Sequence, residues 1–315
     1  MAPQLRQLGA TELRIAPLVL GGNVFGWTAD REASFEVLDA FLEAGFNAID
    51  TADWYTRSVP GHHGGESEAI LGAWMRDRGV RHRVVVITKG GLEMGPQMKG
   101  LGRDYLYQAC EASLRRLQTD YIDVYMAHRA DPDTPIVETL ETNRNLIDEG
   151  KIRYAGCSNY STAELREALT AATGGLPRYE VIEPHYNLID RRMYEDAMEP
   201  VAQGAGVGVI VYYALASGFL TGKYRRTEDI AGNARYRMLS QYLTPRGLTI
   251  LSAVSRVASA CGATPAQVAL AWLMARPSVT APIASATNVR QLRELLKATE
   301  LRLSPEHQAA LTATA

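Results

Sequence analysis

Val84-Val85-Val86-Ile87-Thr88-Lys89-Gly90 is the stretch that decides the fold. Its first four residues are apolar and β-branched, and a charged lysine follows where the apolar pattern stops. Such a run is typical of a strand in a parallel sheet that is covered on both faces. Similar runs recur along the chain, and the segments between them are long enough for a crossover helix. The predicted strands cover residues 17–21, 46–50, 84–88, 121–127, 152–157, 179–186, 207–213 and 279–284.

Strands of this kind alternating with helices predict an α/β fold, and in particular a (β/α)8 TIM barrel. Residues 31–44 carry apolar side chains on one helical face and stop at Gly45, as a crossover helix would. Residues 7–15 place apolar positions around a glycine turn, which predicts a hairpin that closes the barrel floor. Because there is no internal repeat, low-complexity tract or linker, we expect one domain over residues 1–315.

Two segments interrupt the alternation of strands and helices. Residues 56–66 are rich in Gly and His, and residues 224–243 are rich in Arg and Tyr. Both follow predicted strands, and the loops that follow the strands of such a barrel lie over its C-terminal face. We therefore expect extra loops or short helices that wall a pocket at that face.

The composition argues against several classes of function. The chain carries 33 Lys and Arg against 35 Asp and Glu, so no basic field favours nucleic acid or an anionic membrane surface. No run of about 18 apolar residues predicts a membrane span, and the first residues lack the apolar stretch of a signal peptide. The dispersed cysteines Cys110, Cys157 and Cys261 predict reduced thiols in a cytoplasmic protein. No Cys/His spacing resembles a zinc site, so we expect no metal.

Four polar residues stand just beyond three of the predicted strands. Asp50 and Tyr55 follow one strand, Lys89 ends the next, and His128 follows the third. The carboxyl ends of barrel strands share one face, so these side chains are expected to meet there. A Tyr beside a Lys, with a carboxylate for the Lys and an imidazole nearby, can donate a proton to a carbonyl oxygen. The Lys charge is expected to lower the Tyr pKa from about 10, and the whole set predicts carbonyl reduction.

Both common nucleotide-binding motifs fail in this chain. The glycines of residues 204–208 precede a predicted strand instead of following one, and their spacing is wrong for a Rossmann domain. Residues 218–224 are one residue short of a P-loop and end in Tyr where Ser or Thr would bind magnesium. A nucleotide cofactor must therefore be held in another way.

The four polar residues and their strands, with Gly21-Gly22-Asn23 and Gly156-Cys157-Ser158-Asn159-Tyr160, closely resemble the aldo-keto reductase superfamily. The similarity runs from roughly residue 10 to residue 300 and is closest to the bacterial branch that also resembles potassium-channel β-subunits. It implies that Tyr55 is the proton donor and that Lys89 lowers its pKa. It further implies that Asp50 pairs with Lys89 and that His128 orients the substrate carbonyl.

The resemblance also implies NADP(H) as the cofactor, with NAD(H) as the alternative, extended across the barrel mouth. Ser158 and Asn159 match residues that hydrogen-bond the carboxamide, and Tyr212 matches the ring that stacks on the nicotinamide. Residues 285–294 match the segment that binds the 2′-phosphate and adenine. The complete implied set is Gly22, Asn23, Ser158, Asn159, Glu183, Tyr212, Ala214, Leu215, Ser217, Leu220, Lys223, Ser285, Arg290, Gln291 and Glu294.

Three residues depart from the usual family pattern. Ser285 and Gln291 differ from the commoner residues around the 2′-phosphate, so NADP(H) stays favoured while NAD(H) is left open as the alternative. Glu183 stands where the family normally has Gln. A carboxylate can accept but not donate a hydrogen bond, and its charge should favour the oxidised, positively charged nicotinamide ring.

These residues predict NADPH-dependent reduction of an aldehyde or ketone, with Phe25, Trp27, Trp54 and Arg129 expected to line the substrate pocket. One alternative is a regulatory subunit that binds NADP(H) and a partner protein, as channel β-subunits do. A second is a lyase or aldolase that uses Lys89 as a Schiff base. Pairing with Asp50 disfavours the second, because an ion pair keeps the lysine protonated. The substrate and the oligomeric state stay open.

Overall fold

The computed structural model describes residues 3–233 and 235–314. Its strands, numbered along the chain, are β1 (Arg6–Gln7), β2 (Arg14–Ile15), β3 (Val19–Gly21), β4 (Ala48–Asp50), β5 (Val85–Gly90), β6 (Ile122–Ala127), β7 (Ile152–Ser158), β8 (Tyr179–Glu183), β9 (Gly208–Val211) and β10 (Ala281–Ala284). Strands β3 to β10 pair in parallel in chain order, and β10 pairs with β3 to close a barrel. The predicted (β/α)8 barrel is therefore confirmed.

Helices cover the outside of the barrel and follow the strands in turn. The α-helices of the described residues are α1 (Arg31–Glu43), α2 (Glu66–Arg78), α3 (Arg103–Leu117), α4 (Ile136–Asp148), α5 (Thr162–Ala172), α6 (Glu199–Ala205), α7 (Tyr236–Ser240), α8 (Pro245–Cys261), α9 (Pro265–Met274), α10 (Val289–Leu296) and α11 (Pro305–Thr314). No single one of them is long and apolar enough to cross a membrane, and the one pair that passes such a test jointly, α8 with α9, is bent by 94°.

Two apolar cores hold these layers together. Successive strand side chains point to opposite faces, so alternate residues of each strand fill the barrel. The interior is lined by Val19, Ala48, Val85, Ile87, Val124, Met126, Val181, Ile210, Ala281 and Ile283. The larger core lies between strands and helices and includes the fully buried Trp74 and Trp272.

The N-terminal hairpin closes the barrel from below, as predicted. β1 and β2 pair antiparallel, and Leu8, Leu13 and Ile15 pack against the residues that fill the interior. The turn approaches β9 so closely that a Cβ on Gly9 would stand 2.3 Å from the Gly208 backbone nitrogen. Gly9 also has a positive φ of 60°, so both its conformation and its surroundings require glycine.

The two insertions lie at the opposite end, where the strands finish. Glu66 organises residues 56–66, since its carboxylate accepts hydrogen bonds from the Thr56 hydroxyl and from the His63 and Gly64 backbone N–H groups. Residues 224–243 contain α7 and return to the barrel, where the Tyr242 hydroxyl donates to Asp190 at 2.8 Å. The two insertions therefore stand at the same end of the barrel as the polar residues that follow the strands.

Gly9→Ala is expected to destabilise the protein more than Gly79→Ala. Gly79 has a similar positive φ of 64° but open space where the alanine methyl group would stand, so its replacement costs only the left-handed conformation, about 1–2 kcal/mol. The clash with Gly208 should add about 1–3 kcal/mol for Gly9. Urea unfolding of both variants measures the difference, and equal midpoints would show that the hairpin does not press on β9.

Candidate active site

Lys89 is the centre of a buried polar cluster at the C-terminal end of the barrel. Its ammonium donates to Asp50 Oδ1, to the Thr51 carbonyl at 3.1 Å and to the Tyr55 hydroxyl at 3.0 Å. Both Lys89 and Asp50 are about 1% exposed. The ammonium is thus removed from water, and its three N–H groups each have a protein acceptor.

Strand alternation brings these side chains together. Each polar residue comes two positions after a residue that fills the barrel interior, and so it lies on the same inward face one step higher. In this way Asp50 follows Ala48, Lys89 follows Ile87, His128 follows Met126 and Glu183 follows Val181. The site is therefore the topmost inward layer of the barrel.

The Tyr55 hydroxyl sits between a donor and an acceptor. It receives the hydrogen bond from Lys89 and donates to Asp50 Oδ2 at 2.7 Å. Burial, followed by the Asp50 and Glu183 carboxylates, raises the pKa of Tyr55 well above its usual value. The expected fall of this pKa toward working pH is therefore not seen in this arrangement, because burial first, and then the neighbouring carboxylates, outweigh the Lys89 ammonium.

His128 stands next to Tyr55, with the two ring centroids 6.1 Å apart in an edge-to-face arrangement. Its side chain is almost fully buried, and its Nδ1 atom has no hydrogen-bond partner among the described residues. Burial, together with the positive charges of Lys89 and Arg129, lowers the pKa of His128 well below its usual value. The imidazole is therefore neutral at physiological pH and can donate one N–H.

Glu183 joins the same cluster, at the end of β8. Its Oε2 atom lies 3.2 Å from Lys89 Nζ, and its side chain is 3% exposed. Burial first, and then the charge of Asp50, raise the pKa of Glu183 to about 8 despite the attraction of Lys89. For Lys89, burial alone would lower the pKa, but Asp50 and Glu183 outweigh it and raise it.

Ser158, Asn159 and Tyr212 lie beside this cluster and contact one another. The Tyr212 hydroxyl donates to Asn159 Oδ1 at 2.6 Å, and the Asn159 amide donates to the Ser158 hydroxyl and to the His128 carbonyl, both at 3.0 Å. Asn159 holds a positive φ of 55°, which is uncommon outside glycine. Ends of β6, β7 and β9 are thus joined by one hydrogen-bonded chain.

The loop after β9 has an unusual backbone. Ala216 and Ser217 have φ of 48° and 58°, and Gly218 follows at 101°. Ser217 Oγ is buried without a hydrogen-bond partner among the described residues. The Ala216 and Gly218 backbone N–H groups already donate to the Tyr213 and Leu215 carbonyls, at 2.7 and 2.9 Å, so the Ser217 hydroxyl is the unsatisfied polar group that this loop offers to a ligand. Ala214 and Leu220 are buried, Leu215 is half-buried and Lys223 is exposed.

The predicted adenosine-side residues fall into two groups. Ser285 donates to Asn23 Oδ1 at 2.6 Å, and these two lie together beside Gly21, where a Cβ would stand 2.6 Å from Ser285 Oγ. Gly22, the next residue, packs against Ser67, whose Oγ would be 2.8 Å from a Cβ there. Gln291 is occupied, because its Oε1 accepts from the Thr287 backbone N–H and hydroxyl, both at 3.1 Å.

The remaining residues of that segment lie on α10. Arg290 and Arg293 are exposed and form no ion pair within residues 3–233 and 235–314, and Glu294 is half-buried. The structure leaves these arginines pointing at solvent.

The expected pocket residues differ in their exposure. Phe25 is fully buried and packs in the larger core, so its ring offers no surface to a substrate. Trp27 and Trp54 are half-buried and Arg129 is exposed. Arg129 forms no ion pair with Asp131 among the described residues; Asp131 accepts from Leu101 N, Thr134 Oγ1 and Asp133 N.

Sequence reasoning missed a polar group after β8. Asp190 accepts from the Asn187 amide at 3.1 Å and lies 3.0 Å from His185 Nε2, and the His185 ring stacks on Tyr212 with centroids 5.3 Å apart. His185 and Asn187 follow a strand end just as His128 does, so the same signal was available. Arg235 was also missed; its guanidinium lies 5.7 Å from the Trp27 ring centroid.

Metal ligands are not grouped in the part of the chain that the structure describes. Across residues 3–233 and 235–314, no three His, Cys, Asp or Glu side chains are arranged to hold a metal ion.

Comparison with known proteins places the chain in a family. Residues 17–315 match the Aldo/keto reductase family. The chain is 35% identical to a probable voltage-gated potassium channel subunit beta of Oryza sativa subsp. japonica, over 96% of this chain and 94% of that protein. It is 34% identical to the uncharacterized oxidoreductase YrpG of Bacillus subtilis (95% and 92%) and 30% identical to L-glyceraldehyde 3-phosphate reductase of Escherichia coli K12 (94% and 87%). The chain belongs to the Aldo/keto reductase family.

Proposed function

We propose that this protein reduces an aldehyde or ketone to the alcohol with NADPH, and that Tyr55 donates the proton. The observation that carries the proposal is the position of the Tyr55 hydroxyl, hydrogen-bonded to both Lys89 and Asp50 and next to the neutral His128 ring. A carbonyl oxygen placed between Tyr55 and His128 would receive two hydrogen bonds as negative charge develops on it.

The residues of the site fit a nicotinamide dinucleotide. Three of the predicted site residues, His128, Glu183 and Ser217, hold buried polar atoms without a hydrogen bond among the described residues, and such atoms need a partner. The buried Ser217 hydroxyl, which has no hydrogen-bond partner among the described residues, can donate to a pyrophosphate oxygen, and Ser158, Asn159 and Tyr212 are grouped as a carboxamide and ring site requires. When bound, the cofactor supplies the hydride.

The protein's own groups then manage the proton. Tyr55 gives up its hydrogen bond to Asp50 and transfers its hydroxyl proton to the substrate oxygen, and the resulting phenolate is stabilised by the Lys89 ammonium 3.0 Å away. Neutral His128 donates its N–H to the same oxygen and orients the carbonyl. Asp50 keeps Lys89 charged and in place, so it acts through Lys89 and not on the substrate.

The regulatory-subunit alternative remains a second candidate, because three relatives are named as channel β subunits, among them those of Oryza sativa and Arabidopsis thaliana. The complete Asp50–Tyr55–Lys89 hydrogen-bond network favours turnover. The Schiff-base alternative is disfavoured, since a lysine with a raised pKa and three hydrogen-bond acceptors is a poor nucleophile.

We place the protein in the cytoplasm as a single catalytic domain acting on a small carbonyl compound; the buried free thiols Cys110 and Cys157 support a reducing compartment.

A panel of aldehydes and ketones, followed by NADPH absorbance with NADH in parallel, tests the activity. If NADPH binds but none of the compounds is reduced, the regulatory alternative is favoured. If neither NADPH nor NADH binds, the proposal is contradicted.

Tyr55→Phe is expected to keep cofactor binding and to lose about two orders of magnitude or more in kcat, because only the proton is deleted. Tyr121→Phe is the matched control, since Tyr121 precedes β6 at the opposite end of the barrel, beneath Arg81. Nearly full activity of the Tyr55 variant on a carbonyl compound that the wild-type protein reduces would rule out Tyr55 as the acid.

Lys89→Met is expected to be nearly as damaging and also to destabilise the fold. It leaves Asp50 as a buried carboxylate without a counter-charge, and breaking a buried pair costs about 3–5 kcal/mol. Thermal unfolding and the pH–rate profile measure the two effects. An unchanged pH–rate profile would refute the coupling between Lys89 and Tyr55.

If Arg290 and Arg293 bind the 2′-phosphate, replacing both with Ala should weaken NADPH binding far more than NADH binding. Charge-assisted hydrogen bonds are worth about 1.5–3 kcal/mol each. Titration by protein fluorescence measures both affinities, and the exposed Arg166 on α5 offers a control substitution. If the binding of NADPH and of NADH weakens equally, neither arginine contacts the 2′-phosphate, and both are simply part of a solvent-exposed helix face.

A further inference from the structure

Glu183 has an unmet hydrogen-bonding need in an otherwise satisfied cluster. An ammonium has three N–H donors, and those of Lys89 go to Asp50, to the Thr51 carbonyl and to Tyr55. Glu183 Oε2 lies 3.2 Å from the same nitrogen, yet no donor is left for it, and no other described residue supplies one. The contact is therefore an ion pair without good hydrogen-bond geometry.

The charges in this layer do not balance if both carboxylates are ionised. One buried ammonium faces Asp50 and Glu183, and a second buried carboxylate without a donor is costly in a medium of low dielectric constant. Asp50 holds the better position, because it accepts from both Lys89 and Tyr55. A proton on Glu183 removes the excess charge, and a pKa of about 8 agrees with that assignment.

The titratable groups around Glu183 are few. Asp50 and Tyr55 face it from β4 and its loop, Lys89 from β5, and Tyr212 from the end of β9. His128, after β6, faces Lys89, and its pKa is lowered. From β7 come only the uncharged Ser158 and Asn159; the Ser158 hydroxyl donates to the Glu183 carbonyl at 3.1 Å. Tyr55, Lys89 and Tyr212 have raised pKa values, whereas the raised pKa of Glu183, about 8, lies within the pH range of ordinary binding assays.

We propose that Glu183 carries a proton while the bound nicotinamide is reduced and releases that proton when the nicotinamide is oxidised. The inference rests on the proposed function, which places the carboxamide and ring beside Ser158, Asn159 and Tyr212. A positive ring favours the ionised carboxylate, whereas a neutral ring leaves the excess negative charge uncompensated. A Gln at this position has no proton to release, so the coupling is a property of this chain's Glu.

The sign of the pH dependence follows from linkage. Below about pH 8, NADP+ binding must expel one proton from Glu183, so NADP+ affinity rises with pH until the carboxylate is already ionised. NADPH binding expels none. The ratio of NADP+ to NADPH affinity should therefore rise up to tenfold per pH unit between about pH 6 and 8 and then level off. Because both cofactors carry the same 2′-phosphate, its titration cancels in the ratio.

Isothermal titration calorimetry of both cofactors, in two buffers of different ionisation enthalpy at each pH from 6 to 9, tests the proposal. In the wild-type protein the expected result is release of close to one proton per NADP+ at pH 6.5 in excess of that for NADPH. Glu183→Gln should show no such excess and a flat affinity ratio. Glu180→Gln, on the same strand but paired with Arg178, should behave as the wild type.

Equal proton release for the two cofactors in the wild-type protein, or the same slope in Glu183→Gln, would overturn the inference while leaving the proposed function intact. Binding of neither cofactor would instead overturn the proposed function. The wild-type measurement alone decides the matter if the Gln variant folds poorly.

A cofactor-free measurement checks the same group independently. A carboxylate whose pKa is raised by folding stabilises the protein below its unfolded pKa, near 4.3, and that stability is lost as the pH rises through about 8. The melting temperature of the wild type should therefore fall relative to that of Glu183→Gln between pH 5 and 9. Parallel melting curves across that range would mean that Glu183 does not hold a proton.

Discussion

The buried Lys89 ammonium is the constraint on which the rest of the site depends. Out of water, it needs a counter-charge and an acceptor for each proton, and Asp50, the Thr51 carbonyl and the Tyr55 hydroxyl meet those needs. These acceptors belong to β4 and the loop that follows it, whereas Lys89 belongs to β5. The ion pair therefore joins two neighbouring strands at the barrel mouth and holds the Tyr55 hydroxyl beside the His128 ring.

The apolar barrel interior beneath this polar layer strengthens the electrostatic interactions within the layer. Interior residues such as Ile87 and Met126 keep water away from below, and the hairpin closes the floor. In such surroundings a hydrogen bond or charge contact is stronger than at the surface, and an unsatisfied group is correspondingly costly. The same burial that stabilises the pair of Lys89 and Asp50 thus makes a second ionised carboxylate, Glu183, unfavourable.

Backbone strain and unmet hydrogen bonds coincide at this face of the barrel. Ala216 and Ser217 hold left-handed backbone conformations, each at a cost of roughly 1–3 kcal/mol. Ser217 and Glu183 also hold buried polar atoms without hydrogen bonds among the described residues. A fold tolerates such features where a ligand completes them, and the closed barrel with its two cores provides the stability that offsets them.

The sequence by itself determined the strands, the barrel and the residue types at its mouth, because apolar runs and the alternation of inward side chains are local properties of the chain. It also indicated Asp50, Tyr55, Lys89 and His128, since each stands at or just beyond the end of a strand. Only the tertiary structure decided that Phe25 is buried, that the pKa of Tyr55 rises and that Glu183 reaches Lys89. Those outcomes depend on distances between side chains from strands far apart in the chain, and local sequence patterns carry no information about how many charges share one buried ammonium.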